Sequence, residues 1–234
     1  HPFMVTPALP CVTCIITDPA NVERFAKRMD RLDILLNNAG VVNLAELERT
    51  PLGHEMHMVT NHYGHYLLTG HLFPLLFATP GARVVTVTSA AYRSGTIDFG
   101  DLDWRTRRYS RQKAYGDSKL ANLLFTRELQ RRLDRTGSTA LSLAAHPGLT
   151  GTERQQSVGI GGTLARLIAS PVAGGVRPQL RAATDPAARK MDFYGPRFGL
   201  RGSPRRIRVR DDAGDDALAR LLWKVTGNIT GLHY

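Results

Sequence analysis

The sequence contains no uninterrupted run of about 18 apolar residues, which a helix needs to cross a membrane. Its longest apolar stretch, residues 66–77, is interrupted by a threonine, a glycine, a histidine and a proline. The N-terminus has no charged segment followed by an apolar one, the pattern of a secretory signal peptide. The sequence therefore predicts no membrane span, and a cytoplasmic location is expected.

Cysteine is scarce, and the only two, Cys11 and Cys14, form one lone C-x-x-C. A structural zinc site of this type needs a second pair of ligands. On the strand predicted here, residues three apart point to opposite faces, which also argues against a redox pair. We expect two ordinary thiols.

The histidines do not complete a metal motif either. His54 and His57 are one position too close for H-E-x-x-H, and His62 and His65 have no evident third ligand. The sequence therefore predicts no metal site and favours ordinary histidines on helix faces.

Acidic residues are few relative to basic ones, 20 against 31, which gives a formal net charge of +11. Basic residues gather in two clusters: Arg105, Arg107, Arg108, Arg111 and Lys113, and then Arg201, Arg205, Arg206, Arg208 and Arg210. Neither cluster has interleaved aromatic residues or a surrounding DNA-binding motif, so no nucleic-acid partner is predicted. We interpret both as solvated surface, with electrostatic attraction of a phosphorylated cofactor as the alternative.

Short strand patterns alternate with helical patterns along the chain, which is 42% hydrophobic and can bury a sizeable core. The predicted strands cover residues 11–17, 33–36, 83–88, 140–145 and 192–196, and helices are predicted to begin at Asp18-Pro19, Thr50-Pro51 and Tyr115, to end at 182–186, and to cover 217–226. This alternation indicates an α/β protein with a parallel sheet and helices on both faces. No repeat or domain boundary is evident, so residues 1–234 are predicted to form a single domain.

Polar or glycine-bearing turns follow several of the predicted strands. They are Asp18, the segment 37–40, Ser89 and the segment 146–148. In parallel α/β sheets ligands bind beyond the carboxyl ends of the strands. The sequence therefore predicts a binding site at this edge of the sheet.

Tyr115 and Lys119 lie one helical turn apart in the predicted helix that starts there. A cation beside a phenol favours the ionised form, so the pair is suited to proton transfer. Tyr-x-x-x-Lys is common by chance, and a solvated lysine on an amphipathic helix is the alternative interpretation. The polar segments at the strand ends favour the catalytic one.

These segments together resemble the short-chain dehydrogenase/reductase family, in particular its retinol-dehydrogenase-like branch with related bacterial oxidoreductases. The resemblance is carried by Asn37-Asn38-Ala39-Gly40, Asn61-His62-Tyr63-Gly64-His65, Thr88-Ser89, Tyr115 to Asn122, and His146-Pro147-Gly148 followed by Thr152. It extends from about Cys11 to the end of the chain. It implies a Rossmann-type doubly wound parallel sheet and hydride transfer between NAD or NADP and a small alcohol or carbonyl substrate.

The resemblance also implies a role for individual residues. Tyr115 would be the general acid/base, Lys119 would lower its pKa and bind the nicotinamide ribose, Ser89 would hold the substrate oxygen, and Asn61 would anchor a water in a proton relay. The implied cofactor-binding residues are Asp18, Asn37, Ala39, Gly40, Tyr115, Lys119, Pro147, Gly148 and Thr152.

The segment from about Gly151 to Pro178 is predicted to be a substrate lid. Its apolar residues, Leu164, Leu167, Ile168 and Val172, predict a substrate that is not strongly polar. Because members of the family often dimerise, a homo-oligomer is also expected.

The family's glycine-rich turn, Thr-Gly-x-x-x-Gly-x-Gly, has no counterpart here, because the first glycine of the sequence is Gly40. That turn would let the cofactor diphosphate approach a helix N-terminus. We therefore expect a fold truncated at its N-terminus, without the first βαβ unit of about 30 residues or more. The sequence belongs to a longer enzyme, to an unstable product of a shortened gene, or to a folded, non-catalytic remnant acting as an interaction module.

Overall fold

A computed structural model of the protein describes residues 13–148, 175–199, 201–209 and 211–234. In these ranges the strands are β1 (Ile34–Asn37), β2 (Arg83–Val87), β3 (Leu141–Ala145), β4 (Phe193–Pro196) and β5 (Pro204–Arg206). The helices are α1 (Pro19–Ala26), α2 (Met56–Met58), α3 (Gly64–His71), α4 (Phe73–Ala78), α5 (Arg111–Arg135), α6 (Arg177–Thr184) and α7 (Asp216–Thr230). A π-helical turn, Val59–Tyr63, joins α2 to α3.

The strands form one sheet in the order β1-β2-β3-β4-β5. The pairs β1/β2, β2/β3 and β3/β4 are parallel, and only β5 runs antiparallel to its neighbour. The predicted parallel sheet is therefore confirmed, and its strand ends meet at one edge.

Helices cover both faces of this sheet. Consecutive residues of β2 show it: Val84 packs in a core cluster with Phe125 and Leu129 of α5, whereas Val85 packs with Ala182 of α6. The doubly wound arrangement follows from this alternation, since successive strand residues point to opposite faces. The long helix α5 lies between the sheet and α7, so most of its surface is buried.

The prediction of a strand over residues 11–17 is wrong for residues 13–17, the part that the structure describes. Thr13 to Ile15 are irregular, and Ile16 and Thr17 form a turn. A strand is stabilised by pairing with a neighbour, and no described strand lies beside this segment. The helix that follows does begin at Pro19, with Asp18 as its N-cap.

Several other predicted boundaries need correction. Thr50-Pro51 does not begin a helix, because Gly53 takes a left-handed conformation (φ 83°) in a turn, and α2 begins only at Met56. Helix α5 begins at Arg111, four residues before Tyr115, and a 3₁₀ turn, Ala90–Ser94, lies between β2 and α5. Strand β5 was not predicted, and α7 extends to Thr230.

The outer edge of β1 has no partner strand in the described part of the chain. Two apolar side chains of this strand, Ile34 and Leu36, are 49% and 43% exposed. This exposure is consistent with the expected absence of the first βαβ unit. Within the described ranges no helix is both long and apolar enough to span a membrane.

Candidate active site

The predicted strand-end segments meet at one edge of the sheet. Asn38 to Gly40 follow β1, Thr88 and Ser89 follow β2, and His146 to Gly148 follow β3. Because these strands are parallel and adjacent, their carboxyl ends deliver the three segments side by side. Helix α5 then brings Tyr115 and Lys119 to the same edge.

Ser89 reaches Tyr115 because the turn that follows it packs tightly on α5. A Cβ atom at Gly95 would collide with the carbonyl oxygen of Gly116, so only glycine allows the two backbones to come this close. Ser89 begins this turn, and its hydroxyl oxygen accepts a hydrogen bond from the Ala91 N–H. The turn therefore places the Ser89 hydroxyl beside the first turns of α5.

The phenol of Tyr115 is buried, and two opposing effects act on its pKa. Burial raises the pKa of Tyr115, because the charged phenolate loses solvation, and a hydrogen bond with Ser89 lowers it. The net direction is upward. Burial outweighs the effect of Ser89, so Tyr115 carries its proton at neutral pH, and a lowering of this pKa by Lys119 stays a prediction.

Lys119 lies one turn further along α5, with Nζ 5.7 Å from the centre of the Tyr115 ring. Burial lowers the pKa of Lys119 to about 8, so the side chain is mainly charged at neutral pH. Among the described residues its Nζ has one hydrogen-bond acceptor, the Val87 carbonyl oxygen at 3.2 Å. An ammonium group has three N–H donors, so two remain available.

Asn61 lies in the π-helical turn between α2 and α3 and is completely buried. Its Oδ1 accepts from the Val41 N–H at 2.8 Å, and its Nδ2 donates to the Val41 carbonyl and to Ser118 Oγ. Ser118 Oγ in turn donates to the Tyr115 carbonyl at 2.8 Å. Asn61 therefore ties the loop after β1 to the turn of α5 that carries Tyr115. Such single π-helical turns often occur at functional sites.

Gly40 lies close to this cluster. A Cβ atom added there would be 2.8 Å from Asn61 Oδ1 and 3.6 Å from Lys119 Nζ. The two free N–H donors of Lys119 fit the ribose of a dinucleotide, because ribose hydroxyl groups can accept them. At this end, the residues present fit the cofactor that the sequence predicts.

The other predicted cofactor residues are placed as follows. Asn37 is buried and donates through Nδ2 to Thr69, while its Oδ1 has no partner in the described ranges. Ala39 is exposed, and Gly148 takes a left-handed conformation (φ 77°), its N–H donating to His146 Nδ1. Pro147 precedes it at the end of β3, half-buried.

Asp18 does not join this cluster through any described contact. Its carboxylate caps α1 by accepting from the Asn21 N–H at 3.1 Å. Thr152 lies outside the described residues, as does most of the predicted lid. The structure therefore brings together Asn61, Ser89, Tyr115 and Lys119 with Gly40.

Sequence patterns missed one buried polar pair beside the site. His57 lies 6.0 Å from Tyr115 between ring centres, and its Nδ1 is 2.6 Å from Glu55 Oε1. In the sequence, residues 54–57 resemble only an incomplete metal-binding motif. The available signal was the position of Glu55 just before a helical pattern, which is an N-cap position.

Three buried histidines give the fold a predicted dependence on pH. Burial lowers the pKa of His62 to about 3 and those of His65 and His146 to about 4. In the unfolded chain each pKa returns to about 6.5. The stability that the neutral rings contribute is complete above about pH 6.5 and is lost as the pH falls toward 4. Each contributes about 1.4 kcal/mol per pH unit at most.

Burial raises the pKa of Asp117 to about 7, so this carboxyl group acts in the opposite direction in the same window. We therefore expect the free energy of unfolding, measured with urea, to fall by up to about 3 kcal/mol per pH unit between pH 6.5 and 4. Replacing His62 with glutamine removes up to about 1.4 kcal/mol per pH unit of that slope. Equal slopes for the wild type and His62→Gln would show that His62 is not held neutral.

Several known proteins are similar to this chain in sequence. The model of the short chain dehydrogenase family matches residues 11–161. Human retinol dehydrogenase 13 is 36% identical over 224 residues, covering 91% of this chain and 66% of that protein. Mouse retinol dehydrogenase 12 is 48% identical over 134 residues, covering 57% of this chain and 41% of that protein. The matches span less than two thirds of the length of either relative.

Solved structures show the same fold. An uncharacterized protein from Mycobacterium paratuberculosis matches 94% of this chain and 75% of its own, with 38% identity and a TM-score of 0.81. An NADPH-bound carbonyl reductase from chicken fatty liver matches 82% of this chain and 76% of its own, with 21% identity and a TM-score of 0.58. The second likeness concerns the fold alone.

Proposed function

The chain belongs to the short chain dehydrogenase family, in its retinol-dehydrogenase-like branch, and from this premise we propose that it is an NAD- or NADP-dependent oxidoreductase. The reaction is hydride transfer between the nicotinamide and an alcohol or carbonyl substrate. One observation carries the proposal: Ser89 lies close enough to the buried phenol of Tyr115 to act on its pKa, and a charged lysine with free donors lies one turn away.

A bound nicotinamide would supply the hydride in reduction and take it up in oxidation. In the reducing direction negative charge develops on the carbonyl oxygen of the substrate. The Ser89 hydroxyl donates a hydrogen bond to that oxygen, and Tyr115 Oη transfers its proton to it. The raised pKa of Tyr115 suits this direction, since the proton is in place at neutral pH.

Lys119 acts on the tyrosinate that remains after this proton transfer. Its charge lies about one helical turn from the phenol and stabilises the anion, and its free N–H groups hold the ribose of the cofactor. Asn61 holds the loop after β1 against the turn of α5 that carries Tyr115. It also anchors the water through which the phenol regains a proton.

The cofactor is held along the same edge of the sheet. Gly40, Ala39 and Asn37 after β1 would let the backbone approach the cofactor. Pro147, Gly148 and Thr152 after β3 would line its nicotinamide end, near Tyr115 and Lys119. Asp18 contacts the adenine. The close packing at Gly40 supports the first assignment, because a side chain there would collide with Asn61 Oδ1 and lie against Lys119 Nζ.

The substrate is a hydrophobic alcohol, aldehyde or ketone. The relatives named retinol dehydrogenase support this class, and the apolar residues of the predicted lid agree with it. We propose all-trans-retinal and medium-chain aldehydes as the first substrates to assay. A homo-oligomer and a cytoplasmic location remain predictions.

A second candidate function is a non-catalytic remnant that serves as an interaction module. The unpaired outer edge of β1, with Ile34 and Leu36 half-exposed, favours it. A remnant of this kind does not bind dinucleotide.

Calorimetric titration with NADH and NADPH separates the two functions. The oxidoreductase binds one dinucleotide per chain, and Gly40→Ala weakens that binding by at least about tenfold, because the new methyl group meets Asn61 Oδ1. Gly214→Ala is the matched control, since nothing lies within 4 Å of the added atom. Absence of binding by the wild type would favour the remnant.

A further inference from the structure

We infer that Glu55 and His57 form a positioning pair that fixes the loop after β1 and the ring of Tyr115 for the reaction. This inference rests on the proposed function for its effect on turnover, but its geometry can be tested without turnover. Neither residue belongs to the four proposed catalytic side chains, and both are completely buried.

Glu55 is a buried carboxylate held by several donors. It caps α2 through Oε2, which accepts from the Met58 N–H at 2.9 Å, and its Oε1 accepts from His57 Nδ1 at 2.6 Å. Its own N–H donates to Asp103 Oδ1. A buried carboxyl group is costly unless it is hydrogen-bonded, so the loss of the His57 partner would leave Oε1 of Glu55 without that hydrogen bond.

His57 uses both ring nitrogens, which fixes its tautomer. Nε2 accepts the Leu44 N–H at 3.3 Å, so this nitrogen carries a lone pair. The proton must then be on Nδ1, where it is donated to Glu55. The ring is therefore neutral and oriented by two bonds, which an apolar side chain of similar size could not replace.

The Leu44 backbone is held at both of its polar groups. Its N–H donates to His57, and its carbonyl oxygen accepts from Tyr109 at 3.1 Å. At the other end of the same short loop, Val41 is held by Asn61. Between them Asn43 takes a left-handed conformation (φ 45°), which is uncommon for a residue other than glycine. The loop is therefore clamped at each end around a strained residue.

The same imidazole packs beside the reacting phenol. The ring centres of His57 and Tyr115 are 6.0 Å apart, and the rings are inclined at 55°. Lys119 also lies near the Tyr115 ring, with Nζ 5.7 Å from the ring centre. Because His57 cannot rotate without breaking a bond, it limits the movement of the Tyr115 ring. Small displacements of a reacting group reduce rates strongly.

Two conservative variants separate the two bonds of His57. Asparagine places an amide nitrogen near the position of Nδ1 and keeps the donor to Glu55, whereas glutamine places an acceptor near the position of Nε2 and keeps the contact with Leu44. Leucine fills the space and makes neither bond. His71→Leu, at the end of α3 and outside the site, is the matched control.

With NADPH or NADH and all-trans-retinal, we expect His57→Leu to lower kcat by about tenfold or more, while KM for the dinucleotide changes by less than about twofold. His57→Asn and His57→Gln should each recover part of kcat. A leucine variant that folds and keeps the kcat of the wild type would overturn the inference, because simple packing would then suffice.

Two further readouts do not need turnover. Nitrogen chemical shifts of the His57 ring should report the Nδ1–H tautomer, and exchange of the Leu44 amide hydrogen should be at least about tenfold faster in His57→Leu than in the His71→Leu control. The Tyr115 ring resonance should shift in the same variant. If these effects appear but the wild type has no turnover, the proposed function fails and the positioning stands. If neither appears, the positioning pair is wrong.

Discussion

Replacing Tyr115 with phenylalanine is expected to lower kcat by about 10²- to 10⁴-fold, the usual contribution of a general acid/base. The substitution removes only the hydroxyl group, so the ring keeps its packing against His57 and Lys119. The Ser89 hydroxyl can still bind the substrate oxygen but has no proton relay behind it. Affinity for the dinucleotide should stay within about twofold, because Gly40 and the Lys119 donors are unchanged.

The control for losing a buried phenol is Tyr194→Phe. Tyr194 is also completely buried, and its hydroxyl donates to Asp185 at the end of α6. We expect this variant to keep the kcat of the wild type. If Tyr115→Phe keeps full turnover in the same assay, Tyr115 is not the acid/base and the mechanism is wrong.

Replacing Trp223 with alanine is expected to reduce the free energy of unfolding by about 3–5 kcal/mol, the usual effect of removing a large buried aromatic side chain. The indole of Trp223 is stacked on Phe125 of α5, with ring centres 5.5 Å apart and planes inclined by 4°. It also contacts Tyr66 of α3 and Tyr234, and the Arg132 guanidinium lies 4.5 Å above the ring. The substitution therefore opens a cavity where α7 joins α3 and α5.

Urea unfolding of Trp223→Ala and Leu221→Ala measures this effect. Leu221 lies on the same helix but is 46% exposed, so its substitution should cost less than about 1 kcal/mol. A Trp223→Ala loss as small as that of the control would mean that α7 does not stabilise the fold as described.

The elements that the sequence predicted well are those with a local signal. The β-branched run of β2 and the N-cap and proline of α1 are such signals, and both elements form where expected. The strand predicted over residues 11–17 also has β-branched residues, yet its described residues, 13–17, form no strand. Strand formation depends on a neighbour elsewhere in the chain, which a local pattern does not contain.

In the candidate site, too, some features have a local sequence signal and others depend on distant parts of the chain. Asn61, Ser89, Tyr115 and Lys119 belong to short motifs, so their types and order were available from the sequence. Their separation of up to 58 positions is bridged only by the fold. The contact of His57 with Leu44 and Tyr115 depends on how α2 packs against α5, and no sequence motif predicts it. The direction of the Tyr115 pKa likewise depends on burial, which the motif does not specify.

Isotope labelling can show whether this chain transfers a hydride at the Tyr115 site. The protein is incubated with all-trans-retinal and NADH or NADPH carrying deuterium at the reactive carbon, and the alcohol is analysed by mass spectrometry. With the wild type we expect one deuterium on the carbinol carbon of the product, and with Tyr115→Phe a loss of about 10²-fold or more in the rate of label transfer. If dinucleotide binds but no label reaches the product, or if Tyr115→Phe transfers it at the rate of the wild type, the proposed hydride transfer at Tyr115 is wrong.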